Sequence, residues 1–203
     1  TCGLEVHQQL DTGKLFSRCA TILHDDAPDF TFHRRLHAVA SELGEFDAAA
    51  IEAARKKQIY TYQGYHENTS LVETDEEPIH DLDADALRVA IEVALLCHST
   101  IVDNALVMRK TVVDGSNTSG FQRTTQIALG GDIELPDKTK IRILGLALEE
   151  DSARPMEKKE NEITYRLDRL GIPLIELVTM PDIHSPTQAK ETALKMGEVL
   201  RIT

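Results

Sequence analysis

The chain has 203 residues, and 22 Lys+Arg against 34 Asp+Glu leave a formal net charge of −12. With 41% hydrophobic and 28% charged residues it has a globular balance rather than that of a disordered or membrane chain. No apolar run approaches the roughly 20 residues of a membrane helix, and the acidic excess argues against a broad nucleic-acid surface, where Lys and Arg must face phosphate.

Trp is absent and aromatics are only 4%, so an aliphatic core is expected. The three cysteines (Cys2, Cys19, Cys97) are too few and too scattered for a disulfide framework and fit a reducing cytoplasm. The chain opens at Thr1 without Met and closes directly after a helical segment. Residues 1–203 are therefore expected to be one catalytic domain of a longer protein.

In chain order, the alternation of Leu4 to Leu10 predicts a strand. The turn Asp11-Thr12-Gly13-Lys14 and extended sequence from Leu15 to Leu23 predict a first hairpin. Phe30 to Val39 alternates again. Asp47 can cap a short helix through Lys57, where Arg55-Lys56-Lys57 suit the negative end of the dipole. Strands are predicted at Ile59–Tyr65 and Ser70–Glu73. From Asp83, the spacing of Leu87, Ala90, Ile91, Ala94, Leu95 and His98 predicts a helix, with His98 as a terminal cap. Strands follow at Ala105–Val113, Phe121–Leu129, Lys140–Leu148, Ile163–Leu167 and Ile172–Val178. Ser185, Pro186 and Gln188 then form a capping box for a last helix. Long strand runs between helices give an α+β class, a largely antiparallel sheet with packed helices.

Four features carry chemistry. Glu5 and His7 share one face of the first strand, either solvated or as donors to a divalent ion. Glu149-Glu150-Asp151 crowd the end of an apolar strand, and their repulsion needs solvent, Lys158-Lys159 or a metal to relieve it. Glu176 interrupts Ile172–Val178, where a carboxylate is costly unless it faces water, is paired or binds a cation. Gly115–Gly120 has the glycine spacing of a P-loop, but Phe121-Gln122 replace the required Lys-Ser/Thr. Flanked by Arg109-Lys110 and Arg123, it is either a plain polar loop or a phosphate-holding one. The other basic pairs read as solvated faces.

Taken together, Gly3–Thr12, Lys14-Leu15-Phe16, Glu67–Glu73, Asp75–His80, Arg109-Lys110, Asp114–Arg123, Leu148–Asp151 and Gly171–Leu177 resemble the GatB/GatE family, the catalytic subunits of tRNA-dependent amidotransferases, and its archaeal members most. The resemblance runs in order through most of the chain. It implies a glutamine synthetase-like cradle domain that uses ATP and Mg²⁺ to phosphorylate the glutamyl γ-carboxylate of Glu-tRNA(Gln). Ammonia from an asparaginase-like partner (the D-type subunit of the archaeal enzymes) then displaces phosphate. It further implies Glu5, His7, Glu150 and Glu176 as Mg²⁺ ligands, and Glu149, Glu150, Arg109 and Lys110 in catalysis. Contacts to ATP or the acylated tRNA end fall on Arg109, Lys110, Ser116, Ser119, Gly120, Gln122 and Arg123.

Some members carry a zinc site, but Ser17, Tyr62 and Ser70 stand here where cysteines would, so no zinc is expected. The family's tRNA grip belongs to further domains, and no membrane association is implied. Two alternatives are a ligase acting on free glutamate and a non-catalytic docking or ammonia-tunnel module.

Overall fold

A computed structural model describes residues 1–40 and 43–203. The strands are β1 (Glu5–Gln9), β2 (Phe30–Arg34), β3 (Ile59–Gly64), β4 (Thr100–Ile101), β5 (Val107–Thr111), β6 (Phe121–Leu129), β7 (Asp132–Glu134), β8 (Lys140–Glu150), β9 (Arg154–Lys158), β10 (Glu162–Arg166) and β11 (Pro173–Thr179). The helices are α1 (Ala48–Arg55), α2 (Ala84–Leu96) and α3 (Pro186–Arg201). No helix among the described residues is long and apolar enough to cross a membrane.

The larger sheet runs β1-β11-β8-β6-β4, with β5 also on β6 and β7 on β8, and all its pairs are antiparallel. The smaller runs β2-β3-β10-β9, where β3 and β10 are parallel. This is the α+β arrangement that the strand-rich pattern predicts, with one parallel pair that no local signal announces.

Each helix begins where its cap is written. Asp47, Asp83 and Ser185 accept hydrogen bonds from the backbone N–H of Ala50, Ala86 and Gln188, which satisfies one orphan donor of each first turn. Helix α2 buries Ala86, Ala90, Val93 and Ala94 in the aliphatic core formed by Ile127, Ile141, Leu146, Leu148, Ile175 and Leu177. It ends at His98, whose φ of 53° turns the next N–H, that of Ser99, onto the carbonyl of Ala94, the left-handed geometry that closes helices.

Three expectations give way. Leu15–Leu23 forms no strand: Leu15 and Phe16 are buried in the core, Leu15 N–H donates to the carbonyl of Gly171, and β1 pairs with β11 instead. Ser70–Glu73 is a turn, closed by Glu73 Oε2 accepting from Ser70 N and Oγ at 2.8 and 2.7 Å. The core is not wholly aliphatic, because a second cluster under the smaller sheet is built on Tyr60, Tyr62 and Tyr165. Strand β9 escapes the sequence because Arg154-Pro155-Met156-Glu157-Lys158 is polar and carries Pro, which an edge strand tolerates.

Candidate metal and phosphate site

Helices α2 and α3 pack with the core on one face of the larger sheet, and its other face carries the acidic residues. In β1, alternation places Glu5 and His7 on that open side, and His7 stands directly opposite Glu176 of β11. Glu176 pairs in turn with Ala147 of β8, so Glu149, two residues on, shares the face. The next strand brings Thr124 opposite Glu149, and β5 brings Lys110 opposite Gln122.

Side chains converge accordingly. His7 Nε2 lies 3.7 Å from Glu5 Oε1, 3.7 Å from Glu149 Oε2 and 3.9 Å from Glu176 Oε1. One donor atom from each of Glu5, His7 and Glu176 falls within 4.8 Å of the others, the one such group of three or more among the described residues. Glu149 forms the floor at 3% side-chain exposure. Thr124 Oγ1 donates to its Oε1 at 2.6 Å, and Lys110 Nζ lies 3.2 Å from the same oxygen. Burial raises the Glu176 carboxyl above its ordinary range, and the Glu149 and Glu5 carboxylates beside it add to the rise. Like charges packed with an imidazole and no full complement of counter-charge are the donor set of a hard or borderline divalent cation. These residues therefore fit Mg²⁺.

Strand β8 runs through Glu150, so Glu149 and Glu150 point to opposite faces. Of the residues expected as metal ligands, Glu5, His7 and Glu176 come together, and the carboxylate that joins them is Glu149. Glu150 is buried on the far side, accepting from Arg123 N at 3.0 Å and from its guanidinium at 3.0 and 3.3 Å. Burial raises the Glu150 carboxyl, against the opposing pull of Arg123.

The other anticipated anion ligands divide in the same way. Lys110 and Gln122 face the cluster, with Gln122 Nε2 at 3.4 Å from Glu149 Oε2. Arg109 lies on the far face, its guanidinium 5.2 Å from the Phe121 ring centroid. The glycine-spaced loop is tightly bonded within itself. Ser116 donates its N–H and Oγ to Asp114 Oδ1, Gly120 N–H reaches the carbonyl of Asn117, and Phe121 N–H reaches Ser119 Oγ. Those amides are committed to the loop and are not open to phosphate.

Sequence reasoning missed Thr124 and a buried polar group between the two sheets. A signal for Thr124 exists: it is two residues past Gln122 on an alternating strand. Lys14 is fully buried, and Nζ donates to the carbonyls of Asn68 at 2.6 Å and Leu167 at 3.1 Å. Burial lowers its pKa, opposed by nearby Glu73, Cys19, Asp168 and Glu150. Of the positions compared with zinc cysteines, Ser70 donates to Glu73, Ser17 Oγ accepts from the N–H of Cys19, whose thiol reaches Glu73, and Tyr62 sits apart with its hydroxyl on the Gly115 carbonyl.

The catalytic domain of the GatB/GatE family matches residues 1–203. Similar proteins named as the E-type subunit of glutamyl-tRNA(Gln) amidotransferase include one from Methanocaldococcus jannaschii, 54% identical over 202 residues, covering 99% of this chain and 32% of that protein. Another, from Pyrococcus horikoshii, is 52% identical over 201 residues (99% and 31%), and one from Methanothermobacter thermautotrophicus is 50% identical over 202 (99% and 32%). The chain thus spans about a third of the length of the curated relatives it matches. A match along its whole length, joined by relatives at half identity or more, makes the chain a member of the GatB/GatE catalytic domain family.

Proposed function

We propose that residues 1–203 are the catalytic cradle of an ATP- and Mg²⁺-dependent transamidation that converts Glu-tRNA(Gln) to Gln-tRNA(Gln). The observation that carries this reading is the convergence of Glu5, His7, Glu149 and Glu176, with Lys110, on one open sheet face. Hydroxide is a poor leaving group, so the glutamyl γ-carboxylate resists ammonia. Its oxygen first attacks the γ-phosphorus of ATP and releases ADP. Ammonia then attacks the acyl carbon, phosphate departs with the electron pair, and the nitrogen loses a proton.

In this reading Glu5, His7, Glu149 and Glu176 hold Mg²⁺, which when bound neutralises charge on the phosphoryl oxygens. Thr124 and Gln122 fix the Glu149 carboxylate. Lys110, at the open edge of the same cluster, presents a cation to phosphate. Arg109 presents a second from the other side of β5. An asparaginase-like partner protein supplies ammonia, further domains grip the tRNA, and the setting is the cytoplasm; the tRNA is the one in the relatives' name.

The test uses the full-length protein with its partner subunits. ATP cleavage and Gln-tRNA formation should both require Glu-tRNA(Gln), and Glu176→Gln should abolish them. Glutamine formed from free glutamate without RNA would replace this reading by a stand-alone ligase.

A further inference from the structure

Three strands, β1, β8 and β11, supply the carboxylates and the imidazole of the cluster, and one chain of side chains joins the same three just beyond it. Gln9 ends β1 and Asp151 follows β8 by one residue. Arg169 stands in the turn before β11, its carbonyl accepting from the Ile172 N–H at 3.1 Å. Gln9 Nε2 donates to Asp151 Oδ2 at 2.6 Å, and Arg169 Nε lies 3.6 Å from the same oxygen. The other carboxylate oxygen, Oδ1, accepts from the Ser152 N–H at 2.8 Å. Arg169 is fixed in turn, because Nε donates to the Ser152 carbonyl at 2.8 Å and Nη2 to that of Ala153 at 3.2 Å. Both oxygens of Asp151 are thus spent within this bracket, which leaves the residue outside the cluster itself.

The register shows what the bracket sets. Strands β1 and β8 both run antiparallel to β11, so they are parallel to each other with β11 between them. His7 stands level with Ala147, and Gln9 with Glu149. The approach of His7 Nε2 to Glu149 Oε2 therefore crosses β11 on a diagonal of two residues, and Gln9 to Asp151 repeats that diagonal one step further along. No backbone bond links β1 to β8, so their spacing rests on β11 and on this side-chain contact. Strand β1 needs the contact most, because among the described residues it pairs only with β11. The carboxylates of Glu5, Glu149 and Glu176 repel one another, and an edge strand is the part of a sheet that can yield to such a push.

We propose that Asp151 is a positioning residue for the metal cluster: the Gln9–Asp151–Arg169 bracket sets the distance of β1 from β8 and so holds Glu5 and His7 against Glu149 at the spacing a divalent cation requires. This rests on the reading that Glu5, His7, Glu149 and Glu176 hold Mg²⁺. Asp151 acts through Gln9 and makes no contact with the ion.

Calorimetric titration of the full-length protein with Mn²⁺ tests it, with Glu176→Gln as the blank that lacks the cluster. Gln9→Leu and Asp151→Ala should each weaken Mn²⁺ binding about tenfold, the low end for groups that orient metal ligands from outside. The double variant should bind no more weakly than Asp151→Ala alone, because one shared hydrogen bond is lost only once. Asp151→Asn, whose amide oxygen can still accept from Gln9, should restore most of the affinity. Gln9 is exposed, so Gln9→Leu should keep the wild-type melting temperature measured without metal. A lower melting temperature with unchanged Mn²⁺ affinity would make the bracket purely structural and overturn the proposal. Full loss of binding in Asp151→Asn, with Gln9→Leu unaffected, would make Asp151 a ligand and overturn it too. A wild-type protein that binds no more Mn²⁺ than Glu176→Gln would remove the metal reading, and the positioning role with it.

Discussion

His7 and Glu176 stand directly opposite one another across β1 and β11, with Nε2 and Oε1 3.9 Å apart. The pair joins the first strand among the described residues to the last, so the site exists only when the sheet is complete. Glu176 is half-buried, and its carboxyl is raised by burial first and by the Glu149 and Glu5 carboxylates after it. Glu176→Gln keeps the shape and removes that charge. Mg²⁺ or Mn²⁺ should raise the melting temperature of the wild type by mass action, and the rise should vanish in Glu176→Gln. Without metal the variant should melt no lower than the wild type, because a disfavoured charge has gone. A metal-dependent rise that survives in the variant would remove Glu176 from the ligand set.

Glu149 and Glu150 are neighbours with opposite duties, and substitution separates them. Glu149→Gln should abolish the metal-dependent stabilisation, since Glu149 Oε2 faces His7 at 3.7 Å. Glu150→Gln should keep that stabilisation but lose about 3 kcal/mol of stability in urea unfolding, as breaking a buried ion pair strands the partner charge, here Arg123 at 3.0 Å. The reverse pattern, with metal response lost only in Glu150→Gln, would place Glu150 at the metal.

How much of this is legible in the sequence depends on range. Caps at Asp47, Asp83 and Ser185 and the alternation of β6, β8 and β11 are local, and they can be read directly. The resemblance points to acidic segments that the sheet brings onto one face, and alternation puts Glu5 with His7. Which of Glu149 and Glu150 joins them depends on the register of β8 against β11, a non-local pairing in which a one-residue slip exchanges the faces. The hairpin expected after β1 fails for a related reason. Leu15 and Phe16 have the apolar character of a strand, but their side chains drop into the core and the Leu15 N–H is spent on the Gly171 carbonyl. The buried Lys14, between carbonyls contributed by residues 68 and 167, has no local sign at all.

Gly115 should resist replacement. Its φ is +83°, where a side chain is strained, and an added Cβ would lie 2.2 Å from the Tyr60 ring. Gly115→Ala must therefore shift either the loop or Tyr60, and the Gly115 carbonyl would lose its bond from the Tyr62 hydroxyl at 2.7 Å. A loss of about 2 kcal/mol is expected from backbone strain and displaced packing together, read as a lower urea midpoint. An unchanged midpoint would mean that the loop is not held by the tyrosine cluster.

Strong acid should loosen the tie between β8 and the segment leading to α3. Asp182 accepts from Arg142 N at 3.1 Å, Nε at 2.8 Å and Nη2 at 2.7 Å. These hydrogen bonds hold its carboxyl down at about 2, against an ordinary 3.8. A carboxylate whose pKa is depressed on folding binds fewer protons in the native state than in the unfolded one. Its contribution is therefore fully present above pH 3.8 and is lost as pH falls towards 2. Asp182→Asn should lower stability at neutral pH and flatten the stability-against-pH curve across that window, so that wild type and variant converge at the acid end. Urea midpoints at a series of pH values from neutral to pH 2 would show the convergence, and parallel curves would mean that the Arg142–Asp182 pair does not set the acid limb.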